Sequence, residues 1–501
     1  MQNKPNETKE TKRVSLPLYI ASLLIVLLIA VLGTIWTMNI VQSSSDETVS
    51  DANSEEAGSV LESDSEEIDS SVDFQPLEEV YSILMTQYLE EVDSNTLIKG
   101  ALAGMADSLE DPYTTYLDEV QSSSMSEDIE GAFEGIGAEV MKEGEYVRII
   151  SPIAGSPAER AGLLPNDLIA EVDGESVAKM SINEAVALIR GPQGSDVKLL
   201  IVRGDREFTV TITRDSIPVE SVVYELDAEN PTIGYVHITN FNRPTYQELV
   251  DAIEALEQDG AEAFVFDVRG NPGGLLDSSL QLSNIFVEDG EPLMQSQDRD
   301  GEPYIYTANS DEFGEFKFDK DSVLLIDGGS ASASEILAGA MSQSADIPLI
   351  GQATFGKGTI QNVLDITGDG EIKFTAGKWL TADGTWINEE GIKPDIEVEM
   401  PEYINLLYVD QEETYVIGDV SEEIQNLEKI LDALDYDVGE IDFTYDEETE
   451  EAVKSFQAEN ELEEDGVVKG TTARTLIDRL RELIEENDNQ YDAAVDYLLE
   501  N

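Results

Sequence analysis

The sequence predicts a multidomain α/β protein: an N-terminal transmembrane helix, a helical segment, a partly open β-barrel, a mixed-sheet α/β core and a C-terminal helical module. Three observations predict it. An uncharged apolar run covers about Leu16 to Val41. Beyond it, apolar residues recur in blocks at either helical or alternating strand spacing. Glycine-rich loops stand at expected strand ends of the longest block, where sites in α/β folds form. With 501 residues the chain has room for about three or four domains.

Residues 1–41 are expected to form a cytoplasmic tail and membrane anchor. Lys4, Lys9, Lys12 and Arg13 precede the apolar run, and Leu18 to Met38 gives 21 residues, enough to span about 30 Å of hydrocarbon. The flanking positive charge predicts a cytoplasmic N-terminus, a single-pass location in the cell membrane and an extracytoplasmic remainder. A cleaved signal peptide is the competing reading, although no clear A-x-A site ends the run. Residues 42–74 read as a disordered acidic linker. Gln42 to Asp73 holds 11 Asp or Glu and 10 Ser without Lys or Arg, too polar to offset the entropy of ordering.

Residues 75–127 read as helices, with Leu77, Val80, Tyr81, Leu84, Met85 and Tyr88 at helical spacing and Asp111-Pro112 breaking a second stretch. Residues 128–215 read as short strands (Tyr146 to Ile150, Leu168 to Val172, Val197 to Val202, Phe208 to Ile212) with helices at Ser156 to Ala161 and Ser181 to Ile189. This stretch, with "SPIAGSPAERAGLLPNDLIAEVDG", resembles a PDZ domain. Gly135, Ile136, Gly137 and Ala138 stand where such a domain binds a peptide carboxylate. Backbone N–H groups there can hold a terminal carboxylate while the peptide adds as a strand; a barrel that only braces its neighbours is the plainer reading.

Residues 216–401 alternate strand and helix, as a mixed sheet with its loops at strand ends requires. Residues 415–485 are mostly helical. There "IQNLEKILDALDYDVGEID", "YDEETEEAVKSFQAENEL" and "DGVVKGTTARTLIDRL" resemble a peptidoglycan-binding helical module, serving either wall binding or oligomer support.

Composition removes several functions. The chain has 106 acidic and 29 basic residues, a net charge of -77, which would repel nucleic acid. Without cysteine there is no disulfide, thiolate site or cysteine nucleophile, and a single histidine, His237, excludes a multi-histidine metal centre. The acidic excess is spread along the chain and fits a halophilic protein, because salt shortens the reach of the repulsion; ordinary anti-aggregation charge is the alternative.

The chemistry concentrates in two loops. Ser332 lies in "DGGSASASE", after an expected buried strand and at the start of a helix whose free N–H groups point to it. The N–H of Ala333 would hold an oxyanion there, and Gly274 in "RGNPGG" would supply a second donor. His237 sits within a strand pattern and reads as structural. Lys357, in "TFGKGTIQ", is the better base, provided that burial and the positive helix end lower its pKa. Gln361 can orient its amine without adding negative charge. Each residue also has a plain reading: Ser332 as a helix cap, Lys357 as a surface cation, Gln361 as strand filler. "GKGT" lacks the lead-in of a phosphate loop.

About Gln75 to Pro401 resembles the carboxyl-terminal processing proteases of the S41 peptidase family. "SASASEILAGA" matches the nucleophile segment, "TFGKGTIQ" the base segment and "DVRGNPGG" the oxyanion loop, with Pro272 a variation within it. The resemblance implies a serine endopeptidase with Ser332 as nucleophile, Lys357 as general base, Gln361 in support and Gly274 as oxyanion donor. It also implies that a PDZ domain captures substrate C-termini, and places Arg190, in "ALIRGPQG", where a regulatory arginine couples the two domains. No cofactor or metal is required. The expected partners are proteins or peptides with a free C-terminus, the membrane through the N-terminal helix, peptidoglycan, and a second copy in a homodimer. A non-catalytic PDZ scaffold at the cell wall and a small-ester serine hydrolase are the alternatives.

Overall fold

The computed structural model describes residues 73–500 except 205, 300, 368, 369, 407, 408 and 412. The membrane expectations need correction. Among the described residues no helix is long and apolar enough to cross a membrane. The longest, Gly470–Glu486, has 17 residues and carries charges throughout, whereas a span needs about 20 apolar residues. The run read as the anchor, Leu18 to Met38, and most of the linker lie outside the described residues. The transmembrane element of the fold class, the single-pass membrane location and the membrane partner therefore have no support in the structure. The described architecture is a multidomain α/β protein with a barrel and a C-terminal helical module.

The helix Gln75–Gln87 opens the described chain. From Tyr88 onward a second compact unit runs to the C-terminus. Its centre is a six-stranded sheet in the order Val222–Leu226, Ile233–Ile238, Ala263–Asp267, Ser322–Ile326, Leu349–Gly351, Ile396–Glu397. The first pair is antiparallel and the others are parallel. Both faces are covered, which explains why "AFVF" and "SVLLI" are continuously apolar rather than alternating. Phe264, Phe266, Leu324 and Ile326 face one side, against Leu249, Ile253, Leu282, Ile285 and Leu337 of three helices. Val265, Val323, Leu325 and Ile350 face the other, against Ala494 and Val495 of the C-terminal helix Asn489–Glu500.

A second, antiparallel sheet joins Thr115–Leu117, Glu371–Leu380, Pro292–Asp298 and Pro303–Thr307, with Thr359–Asp365 also paired to Glu371–Leu380. The barrel is built on Ala138–Glu143, Tyr146–Pro152, Leu168–Val172, Asp196–Arg203 and Arg206–Thr213. Val147, Ile149, Val197, Leu199 and Ile201 alternate into its core, the period-2 pattern of a half-buried strand. A capping box of Ser181 and Glu184 starts its helix Ile182–Ile189. The chain enters and leaves the barrel through one two-stranded ribbon, Ala132–Gly135 against Asp215–Pro218.

The C-terminal module packs Glu422–Ala433, Glu447–Glu459 and Gly470–Glu486 around Leu427, Leu431, Val453, Phe456, Leu476 and Leu480. Its buried Glu428 accepts from Asp442 N (2.8 Å) and Thr449 Oγ1 (2.8 Å), and burial raises its pKa.

Candidate active site

Ser332 stands immediately before the helix Ala333–Ala345, with φ +55° and ψ −112°. A non-glycine residue in this region stores strain of about 1–3 kcal/mol and persists only where its surroundings fix it. They do so through the facing loop, 268–274. Asn271 O accepts from Ala331 N (3.0 Å) and from Ser334 Oγ (2.9 Å), and Ser330 Oγ donates to Val268 O (2.8 Å). Gly273 allows the close approach: a Cβ there would lie 2.6 Å from Ala331 O and 3.0 Å from Ser332 Cβ.

Gly274 and Ala333 line the same cleft as Ser332. Gly274 forms a parallel bridge with Phe241, made by Phe241 N to Gly273 O (3.2 Å) and Leu275 N to Phe241 O (2.7 Å). That bridge uses its neighbours' groups, and among the described residues the N–H of Gly274 has no hydrogen-bond partner. Ala333 is the first residue of its helix, so its N–H has no intrahelical partner.

Lys357 lies in a glycine-flanked turn. Trp379 Nε1 donates to Lys357 O (2.8 Å), Trp386 Nε1 donates to Gly358 O (2.9 Å), and Gly358 N donates to Asn388 Oδ1 (3.1 Å). Burial, with the nearby Lys373 charge, holds the Lys357 amine below the ordinary lysine range, against an opposing pull from Glu335. Its Nζ sits 4.7 Å from the centre of the Tyr113 ring. Among the described residues no hydrogen bond joins it to Ser332 or Gln361. Gln361 Nε2 donates instead to Thr359 Oγ1 (2.9 Å) and Thr375 Oγ1 (3.5 Å).

Sequence reasoning missed Glu335. Its fully buried carboxylate ties the two loops together. One oxygen accepts from the backbone N–H of Ser332 (2.8 Å) and Lys357 (2.9 Å). The other accepts from Thr354 Oγ1 (2.6 Å) and Gly356 N (2.7 Å). Four donors offset the cost of burying the charge. The Ser-x-x-Glu spacing from Ser332 to Glu335 was the available signal, and it reads as an ordinary capping box. Tyr113, far upstream of Lys357, gave no sequence signal.

Ser332, Ala333, Gly274, Lys357 and Gln361 line one cleft of about 480 Å³, whose apolar wall includes Leu276, Ile336, Ile360 and Trp379. Gly135, Ile136, Gly137 and Ala138 do not line it. Ile136 is buried in the barrel core, and Gly137 has φ +72° and carries no Cβ where one would meet Ser156 Cβ at 2.4 Å. Arg190 donates to Glu127 Oε2 (2.9 Å) and lies 4.7 Å from the Phe133 ring centre, in a separate cleft of about 410 Å³ beside the ribbon. His237 lies on the strand Ile233–Ile238 and outside both clefts.

A strained serine at a helix start and a lysine below its usual pKa share one cleft, an arrangement compatible with a serine hydrolase. The chain belongs to the S41 family of serine peptidases: residues 232–398 match the model for peptidase family S41. Residues 27–121 match the activating protease CtpB N-terminal domain, 148–203 a PDZ domain and 420–476 a peptidoglycan binding domain. The chain is 42% identical over 426 residues to the "Carboxy-terminal processing protease CtpA" of Bacillus subtilis (strain 168), covering 85% of this chain and 90% of that one. It is 37% identical over 423 residues to the "Probable CtpA-like serine protease" of Staphylococcus aureus (strain N315), covering 84% of each. A solved PDZ domain of a carboxy-terminal protease from Vibrio cholerae is 38% identical, covers 18% of this chain and 99% of that one, and has a TM-score of 0.17. The protein is a serine-type carboxy-terminal processing peptidase.

Proposed function

We propose that Ser332 and Lys357 form the catalytic dyad of this serine endopeptidase, which processes the C-terminal regions of extracytoplasmic proteins. The carrying observation is that Lys357, with its pKa lowered by burial, shares one cleft with Ser332 and two donor amides. Neutral Lys357 takes the proton of Ser332 as the hydroxyl oxygen attacks the substrate carbonyl. The amides of Ala333 and Gly274 hold the tetrahedral oxyanion. Lys357 then protonates the leaving amine, and water hydrolyses the acyl-enzyme by the same route. In the conformation described, Lys357 rests on Tyr113 and Gln361 on Thr359. Catalysis requires both to swing, with Gln361 then supporting the amine.

The barrel supplies substrate capture. Ala138–Glu143 is an edge strand of its sheet and directly follows Gly137, so a peptide can add as a strand with its carboxylate at residues 135–138. Arg190, bridging the barrel to Glu127, would report occupancy at the ribbon. The C-terminal module would hold the enzyme at peptidoglycan, a reading supported by its family match.

The test is incubation of Ser332→Ala and Lys357→Ala enzymes with peptides bearing free or amidated C-termini, with mass spectrometry of the products. Both variants should bind free C-termini without cleaving them. Turnover by either purified variant would refute the dyad. Binding without hydrolysis by the unaltered enzyme would favour a scaffold.

A further inference from the structure

The oxyanion loop is held from a direction the reaction does not explain. Arg269 opens this loop, just after the strand Ala263–Asp267. Its Nε and Nη2 donate to Asp267 (2.9 and 2.6 Å to Oδ2), and Asp267 also accepts Arg269 N (2.8 Å) and Tyr235 Oη (2.8 Å). The rest of the guanidinium reaches the far end of the chain. Nη1 and Nη2 donate to Asp488 Oδ1 (2.8 Å) and Oδ2 (2.7 Å), a two-bonded fork, and Nη1 donates to Gln490 Oε1 (3.1 Å).

Asp488 is fixed in turn. It caps the C-terminal helix Asn489–Glu500 by accepting Tyr491 N (3.0 Å). Fully buried Gln490 donates to Val398 O (2.9 Å), and Tyr491 Oη donates to Asp227 Oδ2 (2.8 Å). The helix buries Ala494 and Val495 on the central sheet. Nothing in the hydrolytic steps uses these groups, yet Arg269 sits between Val268, which accepts from Ser330, and Gly270, which donates to Asp327 Oδ1 (2.9 Å).

We propose that Asp488 and Gln490 are positioning residues for catalysis: through Arg269 they set the oxyanion loop, so the chain's last helix is part of the active-site support. The inference rests on reading Gly274 as an oxyanion donor. Loss of the fork would let the loop drift, and a displacement near 1 Å costs up to about 100-fold in rate.

The test uses the full chain with Asp488→Asn, which keeps the cap acceptor and the shape but removes the charge, Asp488→Glu, and Asp496→Asn on the same helix as control. Kinetics on a peptide substrate are measured with affinity for a peptidyl boronate, which forms a tetrahedral adduct on the nucleophile, and thermal melting. Asp488→Asn should lower kcat at least about tenfold with KM nearly unchanged, weaken the boronate by a similar factor, and leave folding intact. Asp488→Glu should fall between it and the unaltered enzyme, and Asp496→Asn should match the latter. A folded Asp488→Asn enzyme with unaltered kcat, or one weakened equally for substrate and boronate, would overturn the proposal. Should Asp488→Asn melt below the assay temperature, Asp488→Glu decides by the same comparison. If the unaltered enzyme fails to bind the boronate, the dyad reading fails instead.

Discussion

Glu335→Gln tests the link between the two loops that carry the proposed dyad. The carboxylate takes four donors, two on each oxygen. Glutamine keeps the shape but turns one oxygen into an NH₂. If that group faces Ser332 and Lys357, two amides lose their acceptor. If it faces Thr354 and Gly356, the threonine hydroxyl can accept, but the Gly356 N–H is left buried without a partner. The second arrangement costs less: about 1–3 kcal/mol for the orphaned N–H, and about 1 kcal/mol more as charged bonds become neutral. If this falls on the site geometry, a cost of about 2–4 kcal/mol corresponds to roughly 30- to 1000-fold in rate. The expectation is a loss of about 100-fold in kcat. The pH profile moves independently. In the proposed mechanism Lys357 must be neutral to act, so kcat should rise with pH through its pKa, and Glu335 raises that pKa. Removing the charge lowers it, and the rising limb shifts to lower pH. The assay is initial rate against pH on a peptide with a free C-terminus, with circular dichroism as the folding check. An unchanged kcat, or a limb moving to higher pH, would refute the reasoning.

Three further outcomes are expected. Lys373→Met removes a cation that depresses the Lys357 pKa, so its rising limb should move to higher pH on the same assay. Gly274→Ala would place a Cβ 2.2 Å from Phe241 O at φ +156°, displacing the proposed donor amide; kcat should fall at least about 100-fold in a folded protein. With a net charge of -77, the melting temperature should rise on going from about 0.1 M to about 3 M potassium chloride, and a flat response by calorimetry would remove the halophilic reading.

The readable parts of this site were those whose chemistry is local. Ser332 and Lys357 stand in glycine-rich turns at strand ends, and the runs Phe264 to Phe266 and Val323 to Ile326 announce buried parallel strands by their continuous apolarity. Pro292–Asp298 and Pro303–Thr307 escaped because "MQSQD" and "GEPYIYT" have no strong apolar alternation, and their pairing with Glu371–Leu380 is non-local. Thr115–Leu117, within a stretch read as helical, is a strand for the same reason: Glu371–Leu380 supplies its partner. Glu335 spaces as a cap, and only folding reveals that its second oxygen reaches Thr354 and Gly356. The C-terminal helix has apolar residues at Tyr491, Ala494, Val495 and Leu498, but the sheet face they cover is contributed by strands far upstream.

The barrel hangs from the catalytic unit by adjacent strands, Ala132–Gly135 leading in and Asp215–Pro218 leading out. It is therefore a cassette spliced into a chain whose remaining strands pair without it. Such an insert can diverge, or be exchanged for another with ends equally close, without touching the machinery that cuts. Under the proposed division of labour, the choice of tail and the way it is cut are then separable properties of one chain.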